Sequence, residues 1–228
     1  MAAVYRIVSG TPINMCLGSG KVDTPLLEHQ MAQIDYYFAT LSPYCYLGGT
    51  RLEEVAVKHG ATINYKPFDL IQGFGRTGGV LPKDRHISRI EYRAQELQRQ
   101  AKKLGLPFNI KPAHWPTNGA PAAYAFIAAQ NAGGGDLGLL AHIITRSVWA
   151  EDKDIAQDEV VRACLTEAGF DPDLADSGLL QGAETYVRNL EAAIDAGAFG
   201  APFYIVDDQR FWGQDKIEDI DLYLQGKL

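Results

Sequence analysis

The sequence predicts an α/β fold split by a large all-helical insertion. Three observations predict it: strand patterns within residues 34–67, helical periodicity without a strand from 86 to 196, and strand patterns again after 202. Ile34 to Ala39 (IDYYFA) is short, aromatic and bounded by a turn, as a buried strand is. Pro43 to His59 predicts one helix. Proline suits its first position, Leu47, Leu52, Val55 and Ala56 give an apolar face, and Gly60 supplies a left-handed stop. Thr62 to Pro67 alternates, with Ile63 and Tyr65 facing one way and Asn64 and Lys66 the other, which is a strand. Strand–helix–strand units of this kind are parallel and right-handed.

The middle of the chain is helical. Ile87, Ile90, Ala94, Leu97, Ala101 and Leu104 recur at three and four residues and stop at Gly105. Pro121 to Ala132, a segment marked by Leu139 to Val148, and one marked by Val160 to Leu165 read as further helices. Phe203 to Val206 is then an apolar strand, Asp207-Asp208 a turn, and Arg210 to Trp212 its return. A last helix carries Ile217, Ile220 and Leu224. Removing the helical block leaves β-α-β-α-β-β-α, the order of a thioredoxin-like fold. The expected division is therefore 31–74 with 191–228 as the thioredoxin-like domain and 75–190 as the helical insertion. Residues 1–30 lack a sustained period and read as an irregular extension ahead of a natural start at Met31; a strand from Val4 to Val8 is the rival reading.

The 228 residues carry a formal charge of −7, which argues against nucleic acid as a partner, since phosphate binding needs an excess of Lys and Arg. No apolar run is long enough to span a membrane, and residues 1–30 lack a signal-peptide pattern. Cys16, Cys45 and Cys164 are odd in number and widely spaced. That fits a reducing cytosol, hence a cytoplasmic location, and argues against a disulfide framework or a cysteine metal site.

Chemistry concentrates in three short motifs. Ser42-Pro43-Tyr44-Cys45 lies between the first strand and the first helix, where thioredoxin folds carry C-x-x-C. Unpaired N–H groups and the helix dipole stabilise a thiolate at that corner. Ser42 cannot form a mixed disulfide, but it can donate a hydrogen bond to another molecule's thiolate, for which glutathione is the natural candidate. Read alone, Ser42 is equally a helix cap. Gly200-Ala201-Pro202-Phe203 stands where thioredoxin-type proteins keep a cis-proline, whose preceding residue pairs with a peptide-like ligand. Trp212-Gly213-Gln214-Asp215-Lys216 enters the last helix. Asp215 is a cap or, in a glutathione site, the partner of the γ-glutamyl ammonium.

The sequence resembles the 2-hydroxychromene-2-carboxylate isomerase family, close to kappa-class glutathione transferases and DsbA-like oxidoreductases. Tyr36-Tyr37-Phe38 with Leu41-Ser42-Pro43-Tyr44, the loop from Gly78 to Lys83, Leu104 to Phe108, Ala198 to Pro202, and Phe211 to Asp215 carry the resemblance. It covers roughly residues 33–226. The resemblance implies glutathione as cofactor, Ser42 as the catalytic serine, and Ala201, Pro202, Gln214, Asp215 and Arg76 as glutathione contacts. Arg76 stands where many members carry Asn, and Cys45 where a small residue is usual. The implied reaction is the glutathione-dependent isomerisation of 2-hydroxychromene-2-carboxylate or trans-o-hydroxybenzylidenepyruvate, in the breakdown of aromatic compounds. Lys83, Arg85 and His86, with Arg76, cluster where the carboxylate of a small aromatic substrate would need a cation; their alternative is a solvated run. A homodimer is a further expectation. Two alternatives remain: a kappa-like transferase or peroxidase, and a non-catalytic glutathione-binding protein. His114 has no second ligand at metal spacing, so no metal is expected.

Overall fold

The computed structural model describes residues 31–228, which form one compact unit; the expectations for residues 1–30 lie outside them. Four strands make the sheet: β1 Gln33–Phe38, β2 Thr62–Pro67, β3 Phe203–Val206 and β4 Gln209–Trp212. Their order is β2-β1-β3-β4, with β2 parallel to β1, and β3 and β4 each antiparallel to the strand before it. The register sets Tyr65, Tyr36 and Tyr204 side by side, the rings 5.8 and 5.0 Å apart. On that face Phe38 meets Phe126 edge-on at 4.9 Å. The opposite face carries Tyr37, whose ring meets Phe68 and whose hydroxyl lies 3.5 Å from the Ala192 carbonyl. Burial on both faces explains why β1 is an apolar, aromatic run without alternation.

The first helix departs from expectation. Residues 43–59 form two helices, α1 Pro43–Gly48 and α2 Arg51–His59. Gly49 separates them at φ 60°, ψ −138°, a conformation a Cβ disfavours. The stop at Gly60 is observed in the left-handed region, its N–H donating to Ala56 and Val57. A second departure is α3, Leu70–Arg76, capped by Asp69 through the Gln72 N–H; its Gly73 and Gly75 read as loop residues.

Between β2 and β3 the described residues contain only helices: α3, α4 Ile87–Leu104, α5 Ala120–Ala132, α6 Leu137–Trp149, α7 Asp158–Glu167, α8 Leu174–Ser177 and α9 Leu179–Asp195, with one 3-10 turn at Pro82–Asp84. The expected boundary at 190 falls inside α9, which packs on α3 and β2 and returns the chain to the sheet. After β4 a 3-10 turn, Gln214–Lys216, leads into α10 Ile217–Leu224. The architecture is a DsbA-like thioredoxin fold with a helical insertion.

The tightest seam in the insertion is that of α5 against α9. A Cβ built on Gly182 would stand 2.7 Å from the Tyr124 carbonyl oxygen and 2.8 Å from its Cα. Alanine inside a helix ordinarily stabilises by about 0.5–1 kcal/mol over glycine. Here Gly182→Ala must push two backbones apart, and overpacking of that kind costs roughly 1–3 kcal/mol. Gly182→Ala should therefore lower Tm by about 2–10 °C. A thermal melt at or above the wild-type midpoint would show that the seam yields freely.

Candidate active site

The corner between β1 and α1 is built by backbone hydrogen bonds and one hydroxyl. The Ser42 N–H donates to Ala39 O at 2.9 Å, closing the turn that leaves β1. Ser42 is 5% exposed. Its Oγ accepts from the Cys45 N–H at 3.3 Å, so the cap reading holds. Its single proton goes to the Ala201 carbonyl at 3.0 Å. The next peptide, Ala201-Pro202, is cis. Ser42 thus ties the first half of the sheet to the second, across the whole insertion.

Pro43 has no N–H, and the first amides of a helix have no intrahelical partner. With the Cys45 amide on Ser42 Oγ, the Tyr44 N–H is the donor this turn leaves for a ligand. Cys45 points into the core. It is 4% exposed, and burial pushes its thiol up to about 11 despite hydrogen bonds from Ala39, Ser42 and Tyr36.

A cavity of about 1340 Å³ opens over this corner. Ser42, Pro43 and Tyr44 line it together with Gly200, Ala201, Trp212, Gly213 and Asp215; Ala201 lies against Ser42 and Gly200 against the Trp212 ring. The insertion supplies the remaining walls, from Phe74 through Arg93 and from Trp115 to Ala120. Thr40 Oγ1 donates to Gly119 O at 3.0 Å, locking the start of α5 against the β1–α1 loop. A Cβ on Gly119 would lie 2.4 Å from that hydroxyl.

The sequence-expected site residues divide. Ser42, Ala201, Asp215, Arg85 and His86 line the cavity, and Pro202 is buried next to Ala201. Gln214 does not: it is 3% exposed, its side-chain and main-chain oxygens accept from Arg51, and its amide nitrogen lies 3.3 Å from Gln100 Oε1. Both ends of its side chain are engaged within the protein, and it does not line the cavity. Arg76 sits in the last turn of α3 and forms a bidentate pair with Glu191 of α9, at 2.5 and 2.8 Å, off the cavity wall. Lys83 is exposed and also stands off the wall, because the 3-10 turn at Pro82–Asp84 directs Asp84 inward instead. Among the described residues no three His, Cys, Asp or Glu side chains gather as a metal site. No described helix is long and apolar enough to cross a membrane.

Residues 33–225 match the family model of the DSBA-like thioredoxin domain. A 2-hydroxychromene-2-carboxylate isomerase of Pseudomonas putida is 30% identical over 189 residues, 81% of this chain and 90% of the relative. The chain belongs to the 2-hydroxychromene-2-carboxylate isomerase family. Glutathione S-transferase kappa 1 of Homo sapiens is 26% identical over 203 residues, 81% of this chain and 87% of that protein. A solved 2-hydroxychromene-2-carboxylate isomerase superposes with a TM-score of 0.69 at 24% identity, over 85% of this chain and 95% of that one.

Within this isomerase family fold, sequence inspection missed many polar or aromatic wall residues, among them Arg89, Tyr92, Arg93 and Asn118. A signal existed. Arg89 and Arg93 stand four residues apart on α4, one turn from each other beside its apolar row, and Arg85 lies four residues earlier, just ahead of the helix.

The thiol of Cys45 gives a direct check. A pKa near 11 leaves it protonated and unreactive at pH 8, and burial denies reagent access. Treating the native protein with a disulfide reagent at pH 8 should leave Cys45 unmodified until denaturant is added, as read by peptide mapping. Rapid labelling of Cys45 in the native state would reopen a redox role for this corner.

Proposed function

We infer that this chain is a glutathione-dependent isomerase, acting on 2-hydroxychromene-2-carboxylate or trans-o-hydroxybenzylidenepyruvate type substrates in aromatic compound breakdown. The observation that carries this is the buried Ser42 hydroxyl at the head of α1, hydrogen-bonded to the Ala201 carbonyl, on the wall of a large cavity, with Cys45 withdrawn into the core. Relatives at 26–30% identity bear the names of such isomerases and of a glutathione transferase.

The residues present fit the cofactor. Ser42 and the Tyr44 N–H are donors for a thiolate, and Asp215, a carboxylate lining the same cavity, suits the γ-glutamyl ammonium. Ala201 and Pro202 present the backbone edge on which a peptide-like ligand lies. Glutathione, when bound, supplies a thiolate that adds to and leaves a conjugated carbon, so the intervening bond is briefly single and can rotate. The protein's part is to hold sulfur in its charged form. Ser42 has one proton, so the hydroxyl must turn from the Ala201 carbonyl toward sulfur. Exchanging a neutral acceptor for a charged one favours the turn, because charge-assisted hydrogen bonds are about twice as strong. The Cys45 N–H stays on Ser42 Oγ throughout and polarises the hydroxyl as a donor.

Ser42→Ala tests this reading. A hydrogen bond to a charged group is worth about 1.5–3 kcal/mol, so glutathione-dependent turnover should fall at least about tenfold. Activity per folded molecule, with folding followed by circular dichroism, should fall as well. Activity lost only in proportion to folded protein would make Ser42 a cap and nothing more.

A further inference from the structure

The cavity is lined by three arginines, Arg85, Arg89 and Arg93, that pair with no carboxylate among the described residues. Arg93 is half-buried, with its guanidinium 5.8 Å from the centre of the Tyr44 ring. Arg85 is held in place by its Nε donating to Val80 O at 3.0 Å and by the Phe74 ring at 5.5 Å. The positive charges of both guanidinium groups are felt at the Tyr44 hydroxyl, and Arg85 repels Arg93. Burial and that repulsion both push the Arg93 pKa down.

The acids nearby do not relieve this. Glu96 is engaged by Arg99 and Gln100. Asp69 caps α3 through Gln72. Asp215 stands beside Lys216. Asp84 lines the wall but pairs with none of the three arginines. A partly desolvated guanidinium stays charged, and holding it there without a partner is costly. An anion arriving between Arg85 and Arg93 removes the repulsion and completes the site.

We propose that Arg93, with Arg85, forms the carboxylate-binding end of the cavity and so selects a flat, conjugated acid whose ring lies against Tyr44, Tyr92 and Trp115. Arg93 is here a substrate-specificity residue. The guanidinium fork matches a carboxylate with two parallel hydrogen bonds, which a lysine cannot supply. The assignment rests on the cavity being the reaction site, the reading above, but it does not require glutathione.

The test separates the two. Calorimetric titration without glutathione uses 2-naphthoate as probe and 2-naphthamide as its neutral counterpart. Wild type should bind the acid at least tenfold more tightly than the amide. Arg93→Gln should reduce acid binding to the level of the amide and leave amide binding unchanged, while Arg93→Lys should fall between. Equal binding of acid and amide by wild type, or unchanged acid binding in Arg93→Gln, would overturn the assignment. Should Arg93→Gln fail the circular-dichroism check of folding, Arg93→Lys carries the decision: acid binding equal to wild type overturns it. Glutathione is titrated separately. If it fails to bind wild type while acid binding depends on Arg93, the glutathione reading fails and this one stands.

Discussion

The hydrogen bond from Ser42 Oγ to the Ala201 carbonyl is the contact on which the site depends. It spans 159 positions of sequence and joins the two ends of the interrupted sheet. Because the hydroxyl has one proton and the carbonyl is buried, either the bond is made or a ligand takes its place. The same atom therefore serves as cap, as tie between the halves and as donor. That economy explains how a fold associated with a cysteine pair can keep its corner intact after losing the first sulfur. The Cys45 sulfur belongs to the core: burial holds it as a thiol, and its backbone amide donates to Ser42 Oγ.

The helical insertion makes the cavity what it is. The sheet and α1 provide only one wall. Helix α4, the loop ahead of it and the start of α5 provide the others, and the Thr40–Gly119 hydrogen bond fixes their distance from Ser42. The cavity is lined by both signs of charge, Asp215 as well as Arg85, Arg89 and Arg93.

Much of this was legible in the sequence, for physical reasons. Strand β1 and helix α4 have strong local patterns, and the element order follows from patterns that change period. Ser42, Ala201 and Asp215 were legible because each sits at a junction, where the backbone is open to a ligand. What failed was long-range. Arg76 reads as a loop cation until α3 forms and Glu191, 115 residues away, captures it. Gln214 reads as a polar rim residue beside Asp215 until the 3-10 turn points it at Arg51. Arg93 went unread because attention to α4 followed its apolar row, while the cavity is lined from beside that row by Ser88, Arg89, Tyr92 and Arg93. The break between α1 and α2 was written in Gly48-Gly49, but local apolar spacing continued across it.

The central claim is that this corner stabilises a bound thiolate, and its most direct test is the titration of the bound thiol itself. Ultraviolet thiolate absorbance of the glutathione complex is followed against pH, with protein alone subtracted and Cys16 replaced by serine. Cys45 and Cys164 are buried with raised pKa values and stay silent through neutral pH. Donors that favour the charged form lower a pKa. The bound thiol should therefore titrate below free glutathione, and Ser42→Ala should move it back up. A bound thiol that titrates as it does free in solution, in wild type and variant alike, would contradict the account.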